Sequence, residues 1–167
     1  MTADKINVGD YVVYSTKGIC RVENIETKNF DRENRNYFVF VPVFDTKSTY
    51  FIPVDYDSSR VHIKTALTGQ EAKALMEFAE NTDPAEWIAN SNERKQVYDN
   101  LYKTGTREQI IKVIKAIKKH ENNQKALGKQ LYATDDRILK GCVNLICGEL
   151  AFVLDKNPEE IKEQLCY

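Results

Sequence analysis

Apolar and polar residues follow two rhythms along this chain, and the rhythm changes once, near residue 67. Upstream, short runs of β-branched and aromatic residues are divided by polar turn residues. Val12, Val13 and Tyr14 form one run, and from Ile19 to Ile25 apolar residues fall partly in alternation, as a strand with one face on a core requires. Gly9 and Gly18 are natural turn points at the two ends of this first hairpin. Further strands are expected over Tyr37 to Phe44 and Thr49 to Val54, with a short fifth near Arg60 to Lys64. Pro53 then belongs at an edge or a strand end, since it has no N–H for a ladder bond. Five short antiparallel strands in about sixty residues fit a small closed or nearly closed barrel.

Downstream, apolar residues recur at helical spacing. Thr68, with Glu71 three residues on, reads as a capping box that opens a helix over 69–81 and turns Leu75, Met76 and Ala79 inward. Asp83 and Pro84 suit the N-cap and first position of a second helix, predicted from Pro84 to Lys103 and closed by Gly105 as a left-handed cap. A third is expected from Thr106 to His120, with Ile110, Ile111, Val113, Ile114 and Ile117 on its apolar stripe. Asn122 to Lys129 reads as a loop. A largely buried helix begins near Thr134, with Asp135 and Asp136 favourable at its positive end, and a last one spans Pro158 to Leu165 behind Asn157. The predicted fold is α+β in two domains. A small antiparallel β-barrel occupies 1–66, a connecting helix and linker 67–83, and an all-α helical bundle 84–167.

Charge adds one feature to this picture. The chain carries a net −1, yet residues 94–140 hold 12 basic and 5 acidic side chains. Such a block is the footprint of a surface that meets phosphates, and equally of a solvated helix face. Cys20, Cys142, Cys147 and Cys166 lack Cys-x-x-Cys spacing, and no run reaches the roughly 20 apolar residues of a membrane-spanning helix. A reduced, soluble cytoplasmic protein with no membrane contact is expected.

Catalytic patterns are missing. His62 and His120, both expected at the surface, have no metal-ligand spacing, and no phosphate loop, nucleophile elbow or dinucleotide fingerprint occurs. No catalytic residue, metal site or cofactor is expected. Trp87, the single tryptophan, reads in two ways: a core anchor between helices, or a wedge against a distorted minor-groove step. On the predicted second helix Asn90, Ser91 and Arg94 share its face, with Lys95 alongside.

Taken together, these residues resemble the CarD/CdnL family of bacterial transcription regulators. The N-terminal part of the likeness lies in Val8-Gly9-Asp10-Tyr11-Val12-Val13-Tyr14 with Gly18, in Ile25-Glu26-Thr27-Lys28 and in Ile52-Pro53-Val54. It is the pattern of a Tudor-like barrel that interacts with RNA polymerase and also occurs in transcription-repair coupling factor. Trp87, Gly105, Leu131-x-Ala133, Arg137-x-Leu139 and Gly148-Glu149-Leu150-Ala151 are similar to the family's helical DNA-binding domain.

The resemblance implies a barrel that docks on the RNA polymerase β subunit through Lys28, Tyr50, Phe51 and Pro53. It also implies a helical domain that contacts promoter DNA in the minor groove, without base-specific readout, through Trp87, Asn90, Ser91, Arg94, Lys95 and Arg137. The open promoter complex would gain stability from both. Some relatives carry arginine where this chain has Phe51, arginines directly after the tryptophan where it has Ile88-Ala89-Asn90, and lysine at Asp136. The other reading from sequence is a Tudor-like protein-binding adaptor whose helical half mediates oligomerisation or another protein contact.

Overall fold

The structure, a computed structural model, describes residues 5–166. The chain divides into two compact units at the step from Ala66 to Leu67.

The first unit is one antiparallel sheet of five strands: β1 (Tyr11–Tyr14), β2 (Ile19–Asn29), β3 (Asn34–Pro42), β4 (Tyr50–Pro53) and β5 (Ile63–Thr65). Gly9 and Gly18 have φ of 94° and 83°, angles that L side chains resist, so both are required at the turns that flank β1. The long β2–β3 hairpin forms the body of the sheet. One face carries the core of Val12, Cys20, Val22, Phe38, Phe40 and Ile52, with Tyr14, Tyr50 and Ile63 packed around it.

The sheet does not close, and the barrel expected from sequence is corrected here. Strand order is β4-β3-β2-β1-β5, with β4 and β5 as two free edges. Those edge strands are only 4 and 3 residues long, too short to bridge to one another, and short edges are themselves a protection against unwanted pairing. Pro53 ends β4, on the edge.

The register shifts between Val22 and Asn24, where one extra residue bulges β2. Val22 pairs with Phe40 over the core, and the bulge then places Asn24, Glu26 and Lys28 on the opposite face, beside Val39, Tyr37 and Arg35. Simple alternation from Val22 would have put all three over the core.

The second unit is helical: α1 (Gly69–Asn81), α2 (Ser91–Thr104), α3 (Arg107–Ala126), α4 (Ala133–Leu154) and α5 (Pro158–Cys166). Thr68 and Glu71 form the expected capping box, and Thr106 with Gln109 forms a second. The buried faces of α3 and α4 make the core, from Ile110, Val113, Ile114 and Ile117 against Ile138, Cys142, Ile146 and Leu150. Glu149, 2% exposed, accepts two hydrogen bonds from Arg107 (2.7 Å each) and one from the Leu67 backbone N–H (3.0 Å). It thereby fixes the first residue of this unit to α4.

Two helical boundaries and one cap differ from expectation. The second helix starts at Ser91 rather than Pro84, because the carbonyls of Glu86, Ile88 and Ala89 are taken by side chains instead of by a helical ladder. Tyr98 Oη donates to the Glu86 carbonyl (2.8 Å), and Arg94 Nη1 donates to those of Ile88 and Ala89 (2.8 and 3.3 Å). Ala85 N–H bonds the Lys112 carbonyl, and Asn90 Oδ1 caps the helix by accepting from Asn92 and Glu93 N–H.

Gly105 has φ −71°, so it is not a left-handed cap. A Cβ there would strike the Leu101 carbonyl, and close approach is what requires glycine. The third helix continues to Ala126 across the polar run read as a loop, sustained by Glu121 paired with Lys118 (2.7 Å) and Lys125 (3.3 Å).

These pairs predict an acid dependence. The hydrogen bond from Lys118 holds the Glu121 carboxyl below the usual carboxylate range, and that from Lys103 does the same for Asp99. A carboxyl depressed in the folded state stabilises it above the unfolded pKa, and the stabilisation is lost as pH falls through the folded one. Thermal melts of the chain should therefore show Tm falling through the acid range below about pH 4. Glu121→Gln should flatten that fall; an unaltered slope would dissociate these pairs from it.

Candidate functional site

On the face of the sheet away from the core, β3 and β4 place Val39 opposite Phe51 and Tyr37 opposite Pro53. Phe51 and Phe30 are 39% and 55% exposed, large apolar groups that a solvated surface does not favour. Their rings meet edge-on at 5.7 Å, and Phe30 meets Tyr37 at 5.1 Å. Lys28 Nζ lies 5.4 Å from the Phe51 ring centre and 2.8 Å from Glu26. The result is an aromatic patch with a held cation, beside the free backbone edge of β4.

Of the residues expected for protein docking, Lys28, Phe51 and Pro53 share this face. Tyr50 does not. It pairs with Phe40 on the core side and stacks edge-on against Tyr14 at 5.5 Å. Phe30 and Tyr37 were not singled out from sequence; Phe30 lies in the hairpin turn, where no periodicity marks it.

In the helical unit, Trp87 is half-buried in the 84–90 segment, outside any helix. Its ring lies against that of His120 (centroids 3.9 Å apart, planes 16° apart) and meets Tyr98 edge-on at 6.3 Å. Arg94 Cζ stands 4.4 Å from the same ring. Trp87 and Arg94 are thus brought together, though not by a shared helical face.

Arg94 is 2% exposed, and its Nε and Nη2 donate to Asp135 Oδ1 and Oδ2 at 2.9 and 2.7 Å. The Asp135 hydrogen bonds raise the Arg94 pKa. This guanidinium is bound on every side and acts on Trp87, so it is a positioning group. Asn90, Ser91 and Lys95 are exposed at the start of α2, the first with its oxygen spent on the cap. Arg137 pairs with Asp99 (3.0 Å), which also holds Lys103. His120, expected as a surface residue, is half-buried against Trp87.

Seven cations of the basic block are tied up in ion pairs, although they share five carboxylates. Arg94, Lys103, Arg107, Lys118, Lys125, Arg137 and Lys140 each pair with a carboxylate. Lys95, Lys112, Lys115, Lys119 and Lys129 have no carboxylate partner among the described residues, Lys115 donating instead to the Thr82 carbonyl (2.8 Å).

Burial pushes the Cys20 thiol up to about 11 and those of Cys142 and Cys147 to about 12, so they stay protonated at neutral pH. No metal-holding cluster of His, Cys, Asp or Glu occurs among the described residues, and no described helix is long and apolar enough to cross a membrane.

Residues 6–62 match the family model of the CarD-like/TRCF RID domain. Along these residues the N-terminal unit is similar to a RID domain. The match spans all of β1 to β4, including the aromatic patch, and carries the likeness to the CarD/CdnL family read from sequence. It stops short of the helical unit. No curated protein matches the chain.

Proposed function

We propose that this protein is a transcription regulator that docks on the RNA polymerase β subunit through its RID domain and holds promoter DNA through its helical unit, without reading base sequence. The observation that carries the reading is the RID match over residues 6–62, because RID domains are polymerase-interacting modules and this one presents an exposed aromatic patch at a free strand edge. Strand addition at β4 would supply backbone hydrogen bonds, with Phe51, Phe30, Lys28 and Pro53 as the side-chain contacts and Tyr50 bracing β4 from behind. In the helical unit, Trp87 is the DNA contact, Asn90, Ser91, Lys95 and Arg137 flank it, and Arg94 positions it. A protein that binds the open promoter tenfold more tightly than the closed one favours opening by about 1.4 kcal/mol, with no catalysis.

A pull-down with polymerase β subunit at low salt tests the docking half. Wild-type chain should be retained, and Phe51→Ala should weaken binding about thirtyfold, as loss of a central aromatic anchor does. Retention unchanged by the substitution would move the docking surface elsewhere. For the DNA half, Trp87→Ala should leave polymerase binding intact and shorten the lifetime of the open complex; an unchanged lifetime with a lowered Tm would make Trp87 a core anchor.

The ion pairing of seven cations of the basic block favours one second reading, in which the helical unit contacts a protein. Five lysines without a carboxylate partner limit phosphate neutralisation, so DNA affinity should fall with salt at a log–log slope no steeper than about −4.5. Affinity insensitive to salt would support the protein contact.

A further inference from the structure

Two groups stand over the indole of Trp87. The His120 imidazole lies nearly parallel to it at 3.9 Å, and Arg94 Cζ stands 4.4 Å from the ring. Each cover is held by its own support. Arg94 is fixed by two bonds to Asp135 and by the carbonyls of Ile88 and Ala89, while His120 projects from the interior of α3. Tyr98 braces the ring edge-on, and its hydroxyl holds the Glu86 carbonyl just before Trp87. Trp87 is still only half-buried.

A nucleobase stacks on an aromatic side chain through an open face. A wedge in the minor groove needs instead a rigid edge to press against a step. Ordering the ring in advance removes the entropy cost of fixing it on binding.

We infer that Trp87 meets DNA by its edge, clamped between His120 and Arg94, and that His120 is a positioning residue that denies bases the indole face. This rests on the DNA-contact reading above. His120 touches Trp87 rather than DNA, and its contribution is a planar group at stacking distance, so another ring can replace it.

Trp87 is the chain's single tryptophan, so its emission reports this site alone. The test titrates the full chain, wild type and variants, with a forked DNA duplex and follows affinity and Trp87 emission together. Wild type should bind with little quenching. His120→Ala should weaken binding about tenfold, and His120→Phe, which restores a ring, should return it to within about twofold. The melting temperature of each variant identifies any loss that comes from unfolding, and the Phe variant keeps the test open if the Ala variant fails to fold.

Strong quenching of wild type on binding, with His120→Ala as tight or tighter, would overturn the inference in favour of face stacking. Equal weakening by Ala and Phe would also overturn it, because the imidazole itself would then be the contact. If Trp87→Ala weakens binding and neither His120 variant does, DNA contact stands and the clamp falls. No binding by wild type at all removes the DNA reading and the clamp's role with it.

Discussion

Replacing Arg94 with alanine should destabilise the helical unit by about 3–5 kcal/mol, the usual cost of removing one partner of a buried ion pair. The loss is large because it is compound. Asp135, 2% exposed, would be left charged with both oxygens deprived of their donors, and the Ile88 and Ala89 carbonyls would lose theirs. Urea denaturation followed by far-ultraviolet circular dichroism measures it. Arg94→Met combined with Asp135→Leu removes both charges and should recover most of the stability, since an apolar pair of similar volume often equals a buried salt bridge. A double variant as unstable as the single one would mean that the bonds to the 84–90 carbonyls, rather than the stranded carboxylate, dominate. In either case Trp87 emission should change, because the guanidinium over its ring is gone.

Glu149→Ala should cost a similar amount, again about 3–5 kcal/mol. The carboxylate is the shared acceptor for the Arg107 guanidinium and the Leu67 N–H, and alanine strands both while leaving a cavity between α3 and α4. Glu149→Gln should be milder, because its carbonyl oxygen can still accept from Leu67 N–H and Arg107 Nη2, while the charge and the bond from Arg107 Nε are lost to a facing NH2 donor. Denaturation of the three proteins side by side gives the order wild type, Gln, Ala. Equal stability of Gln and Ala would show that the ion pair, not the hydrogen bond to Leu67, carries the effect.

Glu149 also shows what a short sequence signature can contain. Gly148-Glu149-Leu150-Ala151 supported a family likeness before any partner of Glu149 was visible, and its contacts are structural rather than DNA-directed. Local features of this kind were largely readable. The Thr68–Glu71 capping box, the Asn157 cap (2.9 Å to Glu159 N–H) and the apolar stripe of α3 all follow from residues within one or two turns of each other.

What could not be read depends on partners far along the chain. Pro84 to Asn90 has no strong helix breaker after the proline, and only bonds from Arg94, Tyr98 and α3 draw it out of helical form. Arginine as a residue type suggests a surface, and Asp135 in a first helical turn suggests a cap. Their partnership across 41 positions buries both.

The Trp87 site shows the same limit. A shared face with Asn90, Ser91 and Arg94 was the argument for a cluster, and it assumed a helix that starts about two turns too early, at Pro84 instead of Ser91. Arg94 does meet Trp87, through the fold rather than through spacing, and His120 joins from a helix whose sequence marks it only as a lone histidine. In β2, alternation carried on from Val22 would give Asn24, Glu26 and Lys28 the wrong face. The bulge decides that Lys28 stands with Phe51, and Tyr50 falls on the other side by register.

The bulge in β2 also gives the hairpin a spare residue. Loss of Glu23 or Asn24 can be absorbed by straightening the strand, which leaves Lys28 opposite Arg35 and on the same side as Phe51. A gain of one residue has no such reserve and would turn the outer end of the hairpin over. Length variation in this strand is therefore one-sided: the aromatic patch tolerates shortening and not lengthening.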